Sequence, residues 1–264
     1  MRFPRLLAVT ALALAAACAP RQVEVGTGTP TTGAINSAES LIRAMRDRYA
    51  ADWYRNLTFT QTSIFYRADG TENRRETWYE AGSLPGKLRI DFGSPTAGNG
   101  VLYVGDSSFT FSGGKLANAA ARRNPLMVLG FDVYAQPAER TIEVLRAEGF
   151  DLSKFHEATV NGTKYYVVGA GATDTTSKQF WVEADRLLFW RTIEPAPRQP
   201  ATLTETRFQK YVKHGGGWVA EEVDFLRNGK RVFFERYSDV KVNQPLDPGI
   251  FNPRTYMSAP HWRR

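Results

Sequence analysis

The sequence predicts a mainly β fold of the α+β kind: one long antiparallel sheet, a helix ahead of it and a helical segment inserted midway. Three observations carry this. From residue 57 onward, segments alternate apolar and polar residues and are divided by turn pairs such as Asp69-Gly70, Asn161-Gly162 and Asn228-Gly229. Ahead of them, Ala38, Leu41, Ile42, Met45, Tyr49 and Trp53 fall on one helical face. Between residues 120 and 148 the strand rhythm is broken.

The chain opens with Arg2 and Arg5, then twelve residues (6–17) in which only Thr10 is polar. That run is too short to span a bilayer, which takes ~20 apolar residues, and it fits the apolar core of a secretory signal. Ala15, Ala16 and Ala17 lead to Cys18, the single cysteine of the 264 residues. This resembles a bacterial lipoprotein signal, which implies that residues 1–17 are removed and that Cys18 is acylated as the first mature residue. Leu14 lies one place further back than the pattern asks, and plain secretion with an unmodified thiol is the alternative. Loss of the leader lowers the net charge from +7 to +5. The absence of basic clusters argues against nucleic acid as a partner. Residues 18–35, rich in Gly, Thr and Pro, read as a tether, and residues 36–264 as a single domain.

In chain order, the helix starts at Asn36 or Ser37 and runs over 37–53. "LTFTQTSIFYR", "RRETWYEAG", "KLRIDF", "GVLYVGD" and "SFTFSGGK" follow as strands. In "KLRIDF", Leu88, Ile90 and Phe92 alternate with Lys87, Arg89 and Asp91, so the first three should face inward. Residues 120–134 bunch apolar side chains around Pro125. Residues 137–148 read as a helix, with Pro137 in its first turn and Gly149 ending it. Paired strands then resume to residue 242, giving roughly ten in all. An alternating strand has one apolar face needing cover. Either a curved sheet with helices over a hollow, or a packed core or sandwich, satisfies that.

Chemistry is sparse. His156, His214 and His261 show no metal-ligand spacing, no G-x-S-x-G occurs, and "SGGK" lacks the remaining residues of a phosphate loop. Glu221 and Glu222 are adjacent on a strand and point to opposite faces. No catalytic residue, metal site or cofactor is expected.

"GSLPGKLRIDF" followed by "GVLYVGDSSFTFSGGK" is similar to the outer-membrane lipoprotein carrier and receptor (LolA/LolB-like) superfamily. Phe59 and Gln61 in the first strand, "NPLMVL" (124–129), "FWVEADRLLFWRTIE" and the closing "SDVKVNQPLDPGIFNP" resemble it in the same order, over about residues 38–253. The resemblance implies a half-open β-barrel whose cavity, under a helical lid, takes acyl chains of lipids or lipoproteins. It also implies an outer-membrane lipoprotein facing the periplasm, a monomer, held by its N-terminal lipid and able to meet an envelope protein partner. A sensor of a lipid or peptide signal that regulates a membrane partner is the alternative. One departure stands out. Where the soluble carrier has an arginine before the proline that helps lock the lid, this chain has Leu84.

The candidate ligand-binding residues are Leu88, Ile90 and Phe92; Phe109 and Phe111; Trp78, with Trp181, at the lining or rim; and Leu126, Met127 and Leu129 in the lid. The same side chains could equally serve core packing.

Overall fold

Thirteen strands form one antiparallel sheet, described by a computed structural model over residues 33–263. The leader, Cys18 and the tether up to residue 32 lie outside the described residues. The strands are β1 (Asn56–Tyr66), β2 (Glu72–Ser83), β3 (Lys87–Phe92), β4 (Gly100–Val104), β5 (Ser107–Ser112), β6 (Lys115–Ala120), β7 (Phe155–Val160), β8 (Thr163–Val168), β9 (Gln179–Glu183), β10 (Leu188–Ala196), β11 (Gln199–His214), β12 (Gly217–Arg227) and β13 (Lys230–Val242). Their count exceeds the roughly ten read from alternation. The strand that no alternation announces is β6, "KLANAA", which is exposed along its whole length.

In space the order is β6-β5-β4-β3-β2-β1-β13-β12-β11-β10-β9-β8-β7. Every neighbour pair but one is consecutive in sequence. The exception is β1 with β13, which closes the meander in its middle, with Gln61 opposite Tyr237 and Ser63 opposite Glu235. β6 and β7 are left as the two free edges, so the sheet is not closed into a barrel. The chain therefore has to travel from one edge to the other between Ala120 and Phe155. The sheet is also curved. Flat, it would hold β3 and β11 about 24 Å apart, five strand spacings, yet Ile90 on β3 and Phe208 on β11 line one small cavity.

The crossing segment is a broken helix. Asn124 caps it, its Oδ1 accepting from the Leu126 N–H at 3.0 Å. A helical turn α2 (Pro125–Met127), a π-helical turn over Val128–Asp132 and a turn α3 (Val133–Ala135) follow, then α4 (Ala138–Ala147). The wide π turn buries five consecutive residues, Val128 to Asp132. Gly130 is needed there because a Cβ would stand 2.5 Å from the Phe208 ring.

The N-terminal helix α1 (Ala38–Tyr49) begins with a reciprocal cap between Ser37 and Ser40. It stops four residues short of the expected Trp53, whose N–H bonds to the Tyr49 carbonyl at 2.9 Å in a closing turn. Leu41, Ile42 and Met45 are wholly buried in the same core as the crossing segment. Trp53 stacks on Tyr134 at 4.1 Å, and the Phe189 N–H donates to the Tyr134 hydroxyl at 2.9 Å. Helix, crossing segment and sheet thus meet at one aromatic joint.

The other face of the sheet carries a second, smaller core. Ile250, Phe251 and Tyr256 from the C-terminal segment cover Ala81, Leu102 and Phe111. Arg89 and Asp91, outward in the alternation, are buried beneath it as a two-pronged ion pair at 2.9 and 3.0 Å. Arg89 also donates to the Tyr256 carbonyl, and the Tyr256 hydroxyl donates to Asp91. Burial alone would raise the Asp91 pKa, but His261, Arg89 and Tyr256 together hold it below the usual carboxylate value.

Among the described residues no helix is long and apolar enough to cross a membrane. Replacing Leu41 by Ala is expected to cost about 2–5 kcal/mol in urea denaturation, the range for emptying a buried leucine site. Leu116→Ala on exposed β6 is expected to change stability by less than about 0.5 kcal/mol.

Candidate functional site: an apolar cavity under the crossing segment

Two chambers lie between the crossing segment and the sheet. The inner one, about 50 Å³, is lined by Leu57, Phe59, Leu88, Ile90, Leu126, Met127, Phe131, Phe208 and Tyr237, with Glu80, Asn124 and Glu235 among them. The outer one, about 300 Å³, lies against the β10–β13 side, with Leu126, Leu129, Leu145, Phe150, Phe189, Phe225 and Phe233 in its wall together with the charged Arg122, Glu148, Lys178 and Glu194. Leu126 and Glu235 border both. The remaining hollow is filled by α1 and the crossing segment, so most of this interior is packed core.

Of the residues expected at a ligand site, Leu88, Ile90, Leu126, Met127 and Leu129 come together around these chambers. Trp78 and Phe92 are on the same face, 4.6 Å apart. With Phe65, Phe225 and Phe233 they form a half-buried aromatic strip continuing outward from the outer chamber; Phe65 and Phe233 stack at 4.6 Å, and Phe225 lies 5.1 Å from Phe233.

Phe109 and Phe111 are a correction. In register, Phe109 faces Leu102 and Leu102 faces Arg89, which places all three on the face opposite Leu88 and Ile90. Phe111 stacks flat on Tyr256 at 3.8 Å, inside the second core. The alternation gave both strands an apolar face but could not say which side of the sheet it was, because the C-terminal cover makes β5 apolar outward. Trp181 is likewise on the outer face. Its neighbours Phe180 and Val182 point into the main core, while it lies 5.8 Å from Trp190 under the Arg191 guanidinium.

The lid contact also differs from the arginine lock. Leu84 packs against the main core. Two residues on, the Gly86 N–H donates to Asp132 Oδ1 at 2.9 Å, tying the π turn to the β2–β3 turn. Burial raises the Asp132 pKa to about 6. A second tie is the ion pair of Arg123 with Asp106.

The polar groups in the inner chamber escaped the sequence reading. Glu80 is 4% exposed and has no hydrogen-bond or ion-pair partner among the described residues. Burial first, then the charges of Glu235 and Asp91, push its pKa well up. Burial pushes Glu235 up to about 7, against the pull of the Tyr237 hydroxyl, which donates to it at 2.7 Å. Period two from Trp78 gives Glu80 on the same face, and period two from Phe233 gives Glu235 and Tyr237, so the signal was present. The histidines make separate contacts: His156 with the Ala170 carbonyl, His214 with Glu221 and His261 with Asp91. No cluster of metal-ligand residues occurs among the described residues.

The chain thus presents a curved, unclosed sheet with an apolar cavity beneath a segment that runs from edge to edge. Solved structures share this fold. A protein domain assigned to outer-membrane lipoprotein sorting, from Vibrio parahaemolyticus, superposes with a TM-score of 0.56 at 14% identity, covering 84% of this chain and 98% of that one. A DUF1329 family protein from Desulfovibrio piger gives 0.52 at 16% identity, covering 81% and 95%. A LolA superfamily protein from Nitrosomonas europaea gives 0.50 at 14%, covering 82% and 97%. No protein-family profile and no curated protein matches the sequence. The chain has the LolA-superfamily fold.

The raised carboxyls fix the sign of a pH effect. A carboxyl whose folded pKa exceeds its unfolded one binds more protons when folded, so its stabilisation is full below about pH 4.5 and lost as pH rises through about 7. Folding is therefore expected to weaken between those values. Glu235→Gln should flatten that slope and stabilise the protein at pH 8 by roughly 1–3 kcal/mol. Denaturation series at several pH values check this; an unchanged slope would contradict the placement of Glu235.

Proposed function

We propose that this chain is a cell-envelope lipoprotein that shelters acyl chains of lipids or lipoproteins, with a role in lipoprotein sorting or outer-membrane biogenesis. The observation that carries it is the lid-covered apolar cavity bordered by Leu88, Ile90, Leu126, Met127 and Phe131. Burial contributes ~25 cal/mol per Å² of apolar surface, so sheltering part of one chain gives several kcal/mol. The assignment of the Vibrio domain to lipoprotein sorting supports the same reading.

On this reading the protein binds and delivers and does not catalyse. The outer chamber is at the small end of ligand pockets, ~300–1,000 Å³, so a load larger than one chain requires the crossing segment to lift. The ties to release are Asp132 with Gly86 and Arg123 with Asp106. Cys18 carries the anchor, residues 18–35 let the domain stand off the outer membrane on its periplasmic side, and the protein works as a monomer.

A single-chain acyl ligand is expected to bind with micromolar affinity, ~8 kcal/mol. Leu126→Asp should weaken it at least about tenfold, since an unpaired charge there meets a desolvation cost. Isothermal titration with circular dichroism of the variant checks this; unchanged affinity in a folded variant would place the ligand elsewhere. For the anchor, Cys18→Ala should move the protein from the membrane to the soluble fraction, and retention on membranes after a high-salt wash counts against lipidation.

A further inference from the structure

The inner chamber is apolar except for Asn124 in the crossing segment and one patch on the sheet built from carboxyl and amide groups. Glu80 projects from β2 between Phe59 on β1 and Ile90 on β3, its register partners. It lines the cavity, is 4% exposed, and no described side chain or backbone group donates to it. Glu235 faces the same space from β13, where the Tyr237 hydroxyl donates to it at 2.7 Å and the Gln61 side chain also favours its charged form, without a cation beside it among the described residues. Gln61 lies between them on β1, wholly buried; its amide N–H donates to Ser63 Oγ at 2.8 Å and its Oε1 has no partner. No lysine, arginine or histidine makes an ion pair with Glu80 or Glu235 among the described residues. A packed core gains nothing from such an arrangement, because a buried acceptor without a donor costs the desolvation of that group. What the patch lacks is a cation, brought in with an apolar body.

We propose that Glu80 and Glu235 form a recognition site for the protonated amine end of a single-chain amphiphile whose hydrocarbon lies along Leu126 and the aromatic strip. This rests on the acyl-chain reading above and narrows it. An ammonium carries three donors and no acceptor, which matches two carboxyls and an amide oxygen. A fatty-acid carboxylate brings a full negative charge beside two buried carboxyl groups that already disfavour one, and is rejected. A neutral alcohol offers one donor and falls between them. Selection comes from the polar patch, while affinity common to all three comes from the chain.

The test uses dodecylamine, dodecanol and dodecanoate at neutral pH, titrated against the full-length chain carrying Cys18→Ala to prevent acylation. The amine is expected to bind at least about tenfold tighter than the alcohol, and the alcohol tighter than the carboxylate, because charge-assisted hydrogen bonds in a buried site are the strong ones. Glu80→Gln combined with Glu235→Gln should bring amine and alcohol to within about twofold of each other, and saturable alcohol binding by the folded variant reports that the cavity is intact. Equal affinity for amine and alcohol in the parent protein, a preference for the carboxylate, or an amine preference that survives the double substitution would each overturn the proposal while the acyl-chain reading stands. Failure of all three ligands to bind would overturn both.

Discussion

The pairing of β1 with β13 is the constraint from which the rest follows. It puts the first and last strands side by side in the middle of the sheet. The chain must then build outward from β1 to β6, and return inward from β7 to β13. The two halves can be joined only by a segment that travels from one edge to the other. Because the sheet curves, the direct route lies across its concave face. Lid and cavity are thus consequences of topology, and the local sequence decides only how tightly the lid lies. It lies tightly: Gly130 admits the Phe208 ring, Asp132 takes the Gly86 N–H, and Tyr134 wedges between Trp53 and the β10 backbone.

The two faces of the sheet have opposite polar economies. On the outer face, the buried Arg89–Asp91 pair is fully satisfied by the C-terminal segment, so its charges fix that segment in place. On the concave face, Glu80 and Glu235 are buried without a counter-charge among the described residues, and burial drives both toward the neutral acid. A buried carboxyl with no partner costs stability, and the sheet around it has no structural use for the charge. The contrast locates where this fold departs from plain packing.

Much of this was legible in the sequence. The turn pairs Asp69-Gly70, Asn161-Gly162 and Asn228-Gly229 mark true hairpins, and the stripe from Ala38 to Tyr49 is the buried side of α1. Leu88 and Ile90 face the cavity as alternation requires. Phe109, Phe111 and Trp181 were misplaced because period two fixes which residues share a face, never which face is covered; on β5 a C-terminal segment burying Phe111 makes the outer side look like a core, and Trp181 packs outward with Trp190 and Arg191. β6 stayed invisible because "KLANAA" pairs through its backbone alone, with every side chain in solvent. Glu80 and Glu235 were hidden by residue type, since a glutamate in a strand reads as a solvent-facing position.

The central claim is that ligand chains lie on the concave face, under the crossing segment. A photoreactive single-chain lipid, cross-linked to the protein and mapped by peptide mass spectrometry, tests it most directly. Adducts are expected at Leu88, Ile90, Leu126, Phe225 or Phe233. Adducts concentrated at Phe109, Phe111 or Trp181, on the outer face, would contradict the account.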